Sequence, residues 1–345
     1  MTDPVPFGNA TNTRPGGSSN TAPAPPLRSP EAPKPKVADL PDVDEPPLFQ
    51  AEPQWDDSML VDGPEELGPA GLFDGVQTFP GDGLPVEDRP LISQLVPMTN
   101  LREEYENGSQ TFVMQIDWLM KQGWVGIRRT RGDGDCFYRS LAFAYIERIL
   151  HATEPTMAVI SAISVLETTE SLLERVGFQK LVFEDFYDDF LGLINAVIQP
   201  RQDGQLLTIN SLLEAFNVPE VSNSVVMYLR MLTSAEIKSE AMEYSPFLFN
   251  PETTEPMDPE SFCNNFVEAI GKEADHVQMS ALSKVMKVNI NVAYLDGHDA
   301  QGTVSFVSFQ NAPDPDTEPV HLLYRPGHYD ILDRRSEDPL PPLIM

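Results

Sequence analysis

The stretch that determines how this chain folds runs from Ile127 to Leu150 and reads IRRTRGDGDCFYRSLAFAYIERIL. Its first residues are typical of a short extended piece, and the two glycines of GDGD indicate a tight turn. From Cys136 onward, apolar residues recur every three or four positions, as on one side of a helix: Phe137, Leu141, Ala144, Tyr145 and Ile149. The stretch therefore predicts an extended piece, a turn and a helix that begins at Cys136.

Helical spacing of apolar residues continues on both sides of this stretch. It predicts further helices over residues 111–121, 154–178, 183–198, 221–242, 259–275 and 276–287. Gly177 is expected to end the helix that begins near Glu154, because glycine readily adopts the left-handed conformation that follows a helix.

The period of the apolar pattern changes near the C-terminus. Residues 288–295 and 303–309 alternate between apolar and polar side chains, which is typical of strands. Residues 320–325 and 328–332 are short apolar runs separated by a Pro-Gly pair, so we expect two neighbouring strands. Helices first and strands last indicate the α+β class, with helices packed on a mostly antiparallel sheet.

Proline content divides the 345 residues into parts. Residues 1–100 contain 19 of the 33 prolines. The first 45 residues hold almost no large apolar side chains, so they cannot bury enough surface to offset the loss of chain entropy on folding. We predict a disordered arm, rich in proline and acidic residues, over 1–89. A single domain with a sizeable core is expected over 90–334, followed by a short C-terminal tail over 335–345.

Composition excludes several classes of protein. The 23 basic and 53 acidic residues give a net charge of −30, which argues against nucleic acid and against an anionic membrane as partners, since both attract a basic face. No run of about 18 apolar residues suggests a membrane span, and the N-terminal residues do not resemble a signal peptide. Two cysteines are too few for a disulfide framework. We expect a soluble monomer in a reducing compartment.

Cys136 is the strongest candidate for a reactive group. A cysteine at the N-terminus of a helix lies at the positive end of the helix dipole, which favours the thiolate. The glycine turn before it can direct backbone N–H groups at one point, as an oxyanion hole requires. Four arginines also lie nearby in the sequence: Arg128, Arg129, Arg131 and Arg139. The alternative is a buried, inert thiol at the start of a helix.

His328 and Asp330 form the second candidate group. Residues i and i+2 of a strand face the same side, so both side chains should project together. A carboxylate beside an imidazole fixes its tautomer and leaves the other ring nitrogen to act as a base on a thiol. Together with Cys136, the pair would supply nucleophile, base and orienting group. A surface pair on a strand is the alternative interpretation.

The remaining cysteine and histidines are interpreted as structural. None of them shows the CxxC or HExxH spacing of a metal site, so no metal is predicted. Cys263 is expected to pack in the core. We expect a helix end at His151, a position near a helix cap at His276, a solvated turn at His298 and a strand position at His321.

Residues 46–74 mix acidic side chains with apolar ones such as Phe49 and Trp55. A disordered spacer is the first interpretation of this composition. A short motif that folds on a partner is the second, and it includes the acidic-aromatic type of a transcription-linked adaptor.

The two candidate groups resemble the motifs of a known family. Residues 127–147 and 321–332 resemble the catalytic segments of the otubains, a branch of the ovarian-tumour (OTU) cysteine proteases that remove ubiquitin. Residues 183–194, 225–234 and 273–296 match the intervening segments in order. The resemblance extends from about Pro90 to Asp333 and does not cover the proline-rich arm. It implies the papain-like OTU fold, in agreement with the α+β layout.

The resemblance also implies a role for each motif residue. Cys136 is expected to be the nucleophile, His328 the general base and later the acid for the leaving amine, and Asp330 the group that orients the histidine. Asp133 stands at the aspartate position of the family's Asp-Gly-x-Cys motif. The backbone of Asp133, Gly134 and Cys136 is expected to form the oxyanion hole.

The activity that the resemblance implies is that of a thiol protease and isopeptidase of the ubiquitin conjugation pathway. Such a thiol-dependent ubiquitinyl hydrolase cleaves the bond between the C-terminal glycine of ubiquitin and a lysine through a thioester, without cofactor or metal. The expected partners are ubiquitin, ubiquitin chains and ubiquitin-conjugating enzymes, and the expected locations are the cytoplasm and the nucleus. Some otubains are selective for the chain type that marks proteins for degradation, so such selectivity is an expectation here.

One departure concerns the residue before the cysteine. Asp135 stands where otubains commonly have asparagine. If its carboxylate lies close to the thiol, it would disfavour the thiolate and oppose the helix dipole.

Besides the adaptor role considered for residues 46–74, two classes of function remain open. The first is an active deubiquitinase, favoured because Cys136, His328 and Asp330 are all present. The alternative is a regulator that binds ubiquitin or conjugating enzymes and whose role does not require cleavage.

Overall fold

The described part of the chain begins just before the domain predicted from the sequence. In this computed structural model, the structure describes residues 86–297, 299, 301–314 and 316–337. Nearly all of the predicted arm (1–89), most of the predicted tail (335–345) and the turn residue His298 lie outside the described residues, and the predictions for them stay predictions.

A six-stranded sheet forms one layer of the structure. Its strands are β1 Ile92–Pro97, β2 Gly126–Thr130, β3 Ile290–Tyr294, β4 Ser305–Phe309, β5 Val320–Arg325 and β6 His328–Asp333. They lie in the order β1-β2-β6-β5-β3-β4, and all neighbours are antiparallel except the parallel pair β3 and β5. The mostly antiparallel sheet predicted from the sequence is therefore confirmed.

Some of the helices pack on this sheet, and the others pack on other helices. The helices are α1 Met98–Tyr105, α2 Gln110–Lys121, α3 Cys136–Leu150, α4 Pro155–Arg175, α5 Lys180–Asn195, α6 Ile209–Phe216, α7 Pro219–Ser239, α8 Ala241–Tyr244, α9 Pro259–Phe262 and α10 His276–Val285. The predicted helix start at Cys136 is confirmed, and the α+β class is confirmed with it.

Helix α3 lies at the centre of the fold. It contacts β5 and β6 of the sheet and also α6 and α7, and 13 of its 15 residues are buried. The sequence pattern has apolar residues on one side of this helix, whereas the structure also buries its polar residues Arg139, Ser140 and Glu147. The N-terminus of α3, where Cys136 lies, is consequently held by neighbours on several sides.

The sequence analysis missed three elements, joined α7 to the start of α8 in one helix over 221–242, and extended one further helix. β1, α1 and α6 were not predicted, because six- and eight-residue elements show too few periods of the apolar pattern. The helix predicted over 259–275 is wrong in its second half. After α9 the chain makes one π turn over Cys263–Val267 and then continues as a non-helical loop to Asp275. Residues 267–275, from the last residue of the π turn to Asp275, are called the 267–275 loop below.

Helix α4 is long and apolar enough, by length and composition alone, to cross a membrane. Within the domain, α4 packs against α5 and α7. The buried side chains of α4 are Val159, Ala162, Leu166, Thr169, Leu172 and Leu173.

Candidate active site

Cys136 lies at the end of a turn that leaves no space for a side chain. Gly134 has a φ of +81°, which glycine adopts readily and other residues do not. A Cβ atom at Gly134 would lie 2.1 Å from the carbonyl oxygen of Gly271, in the 267–275 loop. The turn is therefore in direct backbone contact with that loop, and the Cys136 side chain beside it is only 2% exposed.

His328 and Asp330 lie side by side on β6, as the strand period predicts. The His328 Nε2 atom is 2.9 Å from Asp330 Oδ1, and both residues are buried. Because the carboxylate is the acceptor, Nε2 carries a proton in this pair.

Strand pairing brings Cys136 and His328 together. β2 pairs with β6, so that Arg128 lies opposite Ile331, and β2 leads directly into the turn that ends at Cys136. A Cβ atom at Gly132 in this turn would lie 3.4 Å from His328 Nδ1. The imidazole interacts with the Cys136 thiol through a hydrogen bond and through charge. Since Nε2 binds Asp330, Nδ1 is the nitrogen that faces the sulfur.

Asp330 is held from several sides. Its Oδ1 also accepts a hydrogen bond from the Thr130 amide at 2.9 Å, and its Oδ2 accepts one from Arg325 Nη2 at 2.5 Å. Burial alone would raise the pKa of Asp330, but the charges of Arg325 and His328 hold that pKa well below its usual range. The carboxylate is therefore ionised at any physiological pH.

The charge of Asp330 changes the acidity of His328 in turn. Burial alone would lower the pKa of His328, but the charge and the hydrogen bond of Asp330, together with the interaction with Cys136, raise it to about 9. At pH 7 the imidazole is therefore protonated. An imidazolium beside a sulfur atom is the counter-ion that a thiolate nucleophile requires.

The side chain of Asp133 is bound to an arginine of α3 and not to Cys136, His328 or Asp330. Its carboxylate accepts two hydrogen bonds from Arg139 Nη1, at 2.9 and 2.8 Å, and one from the Asp135 amide at 3.0 Å. These bonds tie the turn to the first part of α3. Asp133 thus shapes the turn through its side chain.

One of the three backbone amides predicted for an oxyanion hole is already bonded within the turn. The Asp133 amide donates a hydrogen bond to the Arg131 carbonyl at 3.0 Å, so in this conformation it is not available to a substrate. The amides of Gly134 and Cys136 have no such acceptor within the described part of the chain. They are the two donors that can face an oxyanion.

The other arginines near Cys136 bind groups other than its thiol. Arg128 forms a buried ion pair with Glu147 at 3.1 Å, and Arg131 donates to a backbone carbonyl. Arg129 pairs with Glu104 and also lies 4.0 Å from Asp330 Oδ2, the carboxylate oxygen that does not bind His328. Among these groups, His328 is the one that interacts with the Cys136 thiol.

The second cysteine and the other histidines have structural surroundings. Cys263 is buried, and burial raises the pKa of its thiol to about 12. His151 caps the end of α3, and His276 opens α10 next to its cap residue, both as predicted. Burial and a nearby arginine lower the pKa of His321, on β5, to about 4. Among the residues that the structure describes, no three His, Cys, Asp or Glu side chains are grouped to hold a metal.

Sequence reasoning missed Arg325 and Arg230, both fully or almost fully buried. Arg325 binds Asp330, and Arg230 binds Asp135, the residue before the nucleophile, at 2.5 Å. One signal for Arg230 was present, since it is a lone charge within the apolar run MYLRML of α7. A charge in such a run must find a partner on folding.

Comparison with known proteins shows the family of this chain. The family model described as Peptidase C65 Otubain matches residues 85–334. The Arabidopsis thaliana protein named OVARIAN TUMOR DOMAIN-containing deubiquitinating enzyme 1 is 34% identical over 254 residues, which cover 70% of this chain and 80% of the relative. The Homo sapiens protein named Ubiquitin thioesterase OTUB1 is 33% identical over 243 residues, which cover 70% of this chain and 83% of the relative.

A solved structure has the same fold. The h/ceOTUB1–ubiquitin aldehyde–UBCH5B~Ub complex contains a chain with a TM-score of 0.62 and 27% identity, and the match covers 72% of this chain and 91% of that one. The resemblance seen in the motifs is thus confirmed over the whole described domain. The chain belongs to the otubain family of peptidases and is a cysteine hydrolase.

Proposed function

We propose that this hydrolase is a deubiquitinase that cleaves isopeptide bonds of ubiquitin, with Cys136 as nucleophile, His328 as base and acid, and Asp330 as the orienting group. The observation that carries the proposal is the buried line of contacts from Asp330 through His328 to the Cys136 thiol. That line supplies the three parts of nucleophilic catalysis in one place.

The steps follow from the positions of the protons. His328 Nδ1 takes the proton of the Cys136 thiol, and the thiolate attacks the carbonyl carbon of the C-terminal glycine of ubiquitin. The amides of Gly134 and Cys136 donate to the oxyanion that forms. The imidazolium then gives its proton to the lysine amine as the C–N bond breaks. Water, deprotonated by His328, hydrolyses the remaining thioester and restores the thiol.

The narrowness of the site supports a glycine at the cleaved bond. Cys136 and His328 are only 2% and 4% exposed, and their surroundings include the backbones of Gly132 and Gly134. A residue without a side chain can reach such a thiol, whereas a bulky residue would meet these backbones. The net charge of −30 also favours encounter with ubiquitin, whose contact face is basic. In a reducing setting such as the cytoplasm or nucleus, the thiol stays free for attack.

Binding of a conjugating enzyme is a second candidate function. One observation favours it: the solved relative was captured with ubiquitin aldehyde and UBCH5B~Ub. This role is compatible with catalysis, and it would persist in a variant without the thiol. Selectivity for the chain type that marks proteins for degradation is also part of the proposed function. It would require a second ubiquitin-binding site on the domain.

A thiol-reactive ubiquitin probe tests the proposal most directly. Ubiquitin that carries a C-terminal electrophile should form one covalent adduct per chain, and mass spectrometry should locate it on Cys136. Cys263 serves as the internal control, because burial raises its pKa to about 12 and it should stay unmodified. Absence of an adduct on folded protein would contradict the proposal and leave the regulator as the better reading.

The pH profile gives a second prediction. Because the pKa of His328 is raised to about 9, the imidazolium persists from neutral pH up to that value. We therefore expect kcat/KM for a fluorogenic ubiquitin amide to fall as the pH rises through about 9, where the acid for the leaving amine is lost. Initial rates between pH 6 and pH 10.5, in buffers of constant ionic strength, measure this limb.

The matched control for the profile is Asp330→Asn. It removes the carboxylate that raises the pKa of His328, so its alkaline limb should lie at lower pH than that of the unaltered chain. An alkaline limb that stays in place in this variant would assign the titration to another group.

A further inference from the structure

We propose that Asp135 and Arg230 form a buried positioning pair, which fixes the nucleophile turn against the 267–275 loop and thereby aligns the amides of Gly134 and Cys136 for the oxyanion. This inference rests on the proposed function, since it concerns the transition state of the same hydrolysis. It assigns Asp135 a role in geometry rather than in the charge of the thiol.

Arg230 connects two segments that are distant in the sequence. Its guanidinium donates to the Gly134 carbonyl at 3.1 Å, in the nucleophile turn. It also donates to the carbonyls of Val267 and Lys272, at 2.8 and 2.7 Å, in the 267–275 loop. The side chain is fully buried in α7 and its guanidinium lies 4.4 Å from the centre of the Tyr138 ring. A group enclosed in this way cannot follow the turn if the turn moves.

Asp135 completes the connection from the other side. Its Oδ1 accepts hydrogen bonds from Arg230 Nε at 2.9 Å and Nη2 at 2.5 Å. The same oxygen accepts the Gly271 amide at 3.2 Å. Although Asp135 precedes α3, its side chain makes no cap hydrogen bond to that helix. The carboxylate is thus used to join the turn, α7 and the 267–275 loop.

The turn has little freedom to compensate for loss of this pair. The second ion pair of the turn, between Asp133 and Arg139 at 2.8 Å, joins it to α3 and, through bonds of Arg139 to Ser222 and Asn223, to the start of α7. None of these bonds reaches the 267–275 loop. The backbone contact between Gly134 and Gly271 is too close to accept a side chain. Arg230 and Asp135 are therefore the groups that hold this contact in register, and a shift of a few tenths of an ångström would misalign an oxyanion donor.

Substitutions at Asp135 separate this role from the alternatives. Asp135→Ala removes three hydrogen bonds, so we expect kcat for a fluorogenic ubiquitin amide to fall about 10²-fold, as when one oxyanion donor is lost, with KM little changed. Asp135→Asn keeps an oxygen that can accept the same bonds, so its kcat should stay within about fivefold of the unaltered chain. Arg230→Lys, which lacks the planar fork, should lower kcat like Asp135→Ala.

A chemical probe that needs no oxyanion hole provides the second readout. Alkylation of Cys136 by iodoacetamide should keep its pH profile in Asp135→Ala and Asp135→Asn. If the carboxylate instead acted on the charge of the thiol, both variants would alkylate at lower pH and Asp135→Asn would gain activity, which would overturn the inference.

A matched variant controls for simple loss of stability. Glu147→Ala also removes a carboxylate that pairs with a buried arginine of the same region, but far along α3 from Cys136. It should lower the melting temperature while leaving kcat nearly unchanged. Unchanged kcat in Asp135→Ala, with the unaltered chain active, would overturn this inference alone. An inactive unaltered chain would overturn the proposed function, and this inference with it.

Discussion

Replacement of Cys136 by serine is expected to abolish hydrolysis of ubiquitin substrates, with a loss of about 10⁶-fold in kcat, the size seen when a triad nucleophile is removed. The physical reason is that a hydroxyl gives up its proton far less readily than a thiol, so that it cannot form an ion pair with the His328 imidazolium. The fold should be retained, because serine is nearly isosteric with cysteine and the site has room for it. Progress curves with a fluorogenic ubiquitin amide measure the loss.

Cys263→Ser is the matched control for this substitution. Cys263 is buried, and its Sγ atom lies 3.8 Å from the Ser234 carbonyl oxygen, as a weak donor. A serine there can make the same bond, so activity should stay close to that of the unaltered chain. Residual turnover near the original level in Cys136→Ser, with full loss in Cys263→Ser, would reverse the assignment of the nucleophile.

The same Cys136→Ser protein also separates the two candidate functions. Ubiquitin binding, measured by calorimetry, should persist in it because the surface outside the thiol is unaltered. A cellular phenotype that survives this substitution would belong to the binding role, whereas one that disappears requires cleavage.

The sequence predicted those features of the site that are determined by residues close together in the chain. Cys136 was placed at a helix start by the spacing of apolar residues and by the glycine turn, both of which act within about ten residues. His328 and Asp330 were placed on one face by the period of a strand. These inferences need no knowledge of distant residues, and the structure agrees with them.

The parts that the sequence did not predict depend on distant residues. The segment over 259–275 has helical spacing, yet Arg230 binds backbone carbonyls of its second half and Gly271 has a φ of +74°. Tertiary contacts there override local propensity. The position of the Asp135 side chain likewise depends on its bond to Arg230, which lies 95 positions away in the sequence. A local sequence pattern gives no information about such a partner.

Asp330→Asn is expected to lower kcat by up to about 10⁴-fold, the loss seen when the orienting carboxylate of a triad becomes an amide. An asparagine can present its NH₂ group to His328 Nε2, which would favour the tautomer with the proton on the wrong nitrogen. It also removes the charge that raises the pKa of His328, so less imidazolium would be present at pH 7. Both effects act on the chemical step, and KM should therefore change much less than kcat.

Asp333→Asn, on the same strand, controls for the loss of a carboxylate as such. Asp333 pairs with Arg335 at 2.6 Å and lies at the far end of β6 from His328, so this variant should keep its activity. Asp330→Asn also takes away the anionic partner of buried Arg325. Urea unfolding of both variants measures how much this lowers the free energy of unfolding. If Asp330→Asn keeps its rate, another carboxylate must orient the imidazole. Glu273 would then be the residue to substitute, because its charge already interacts with His328.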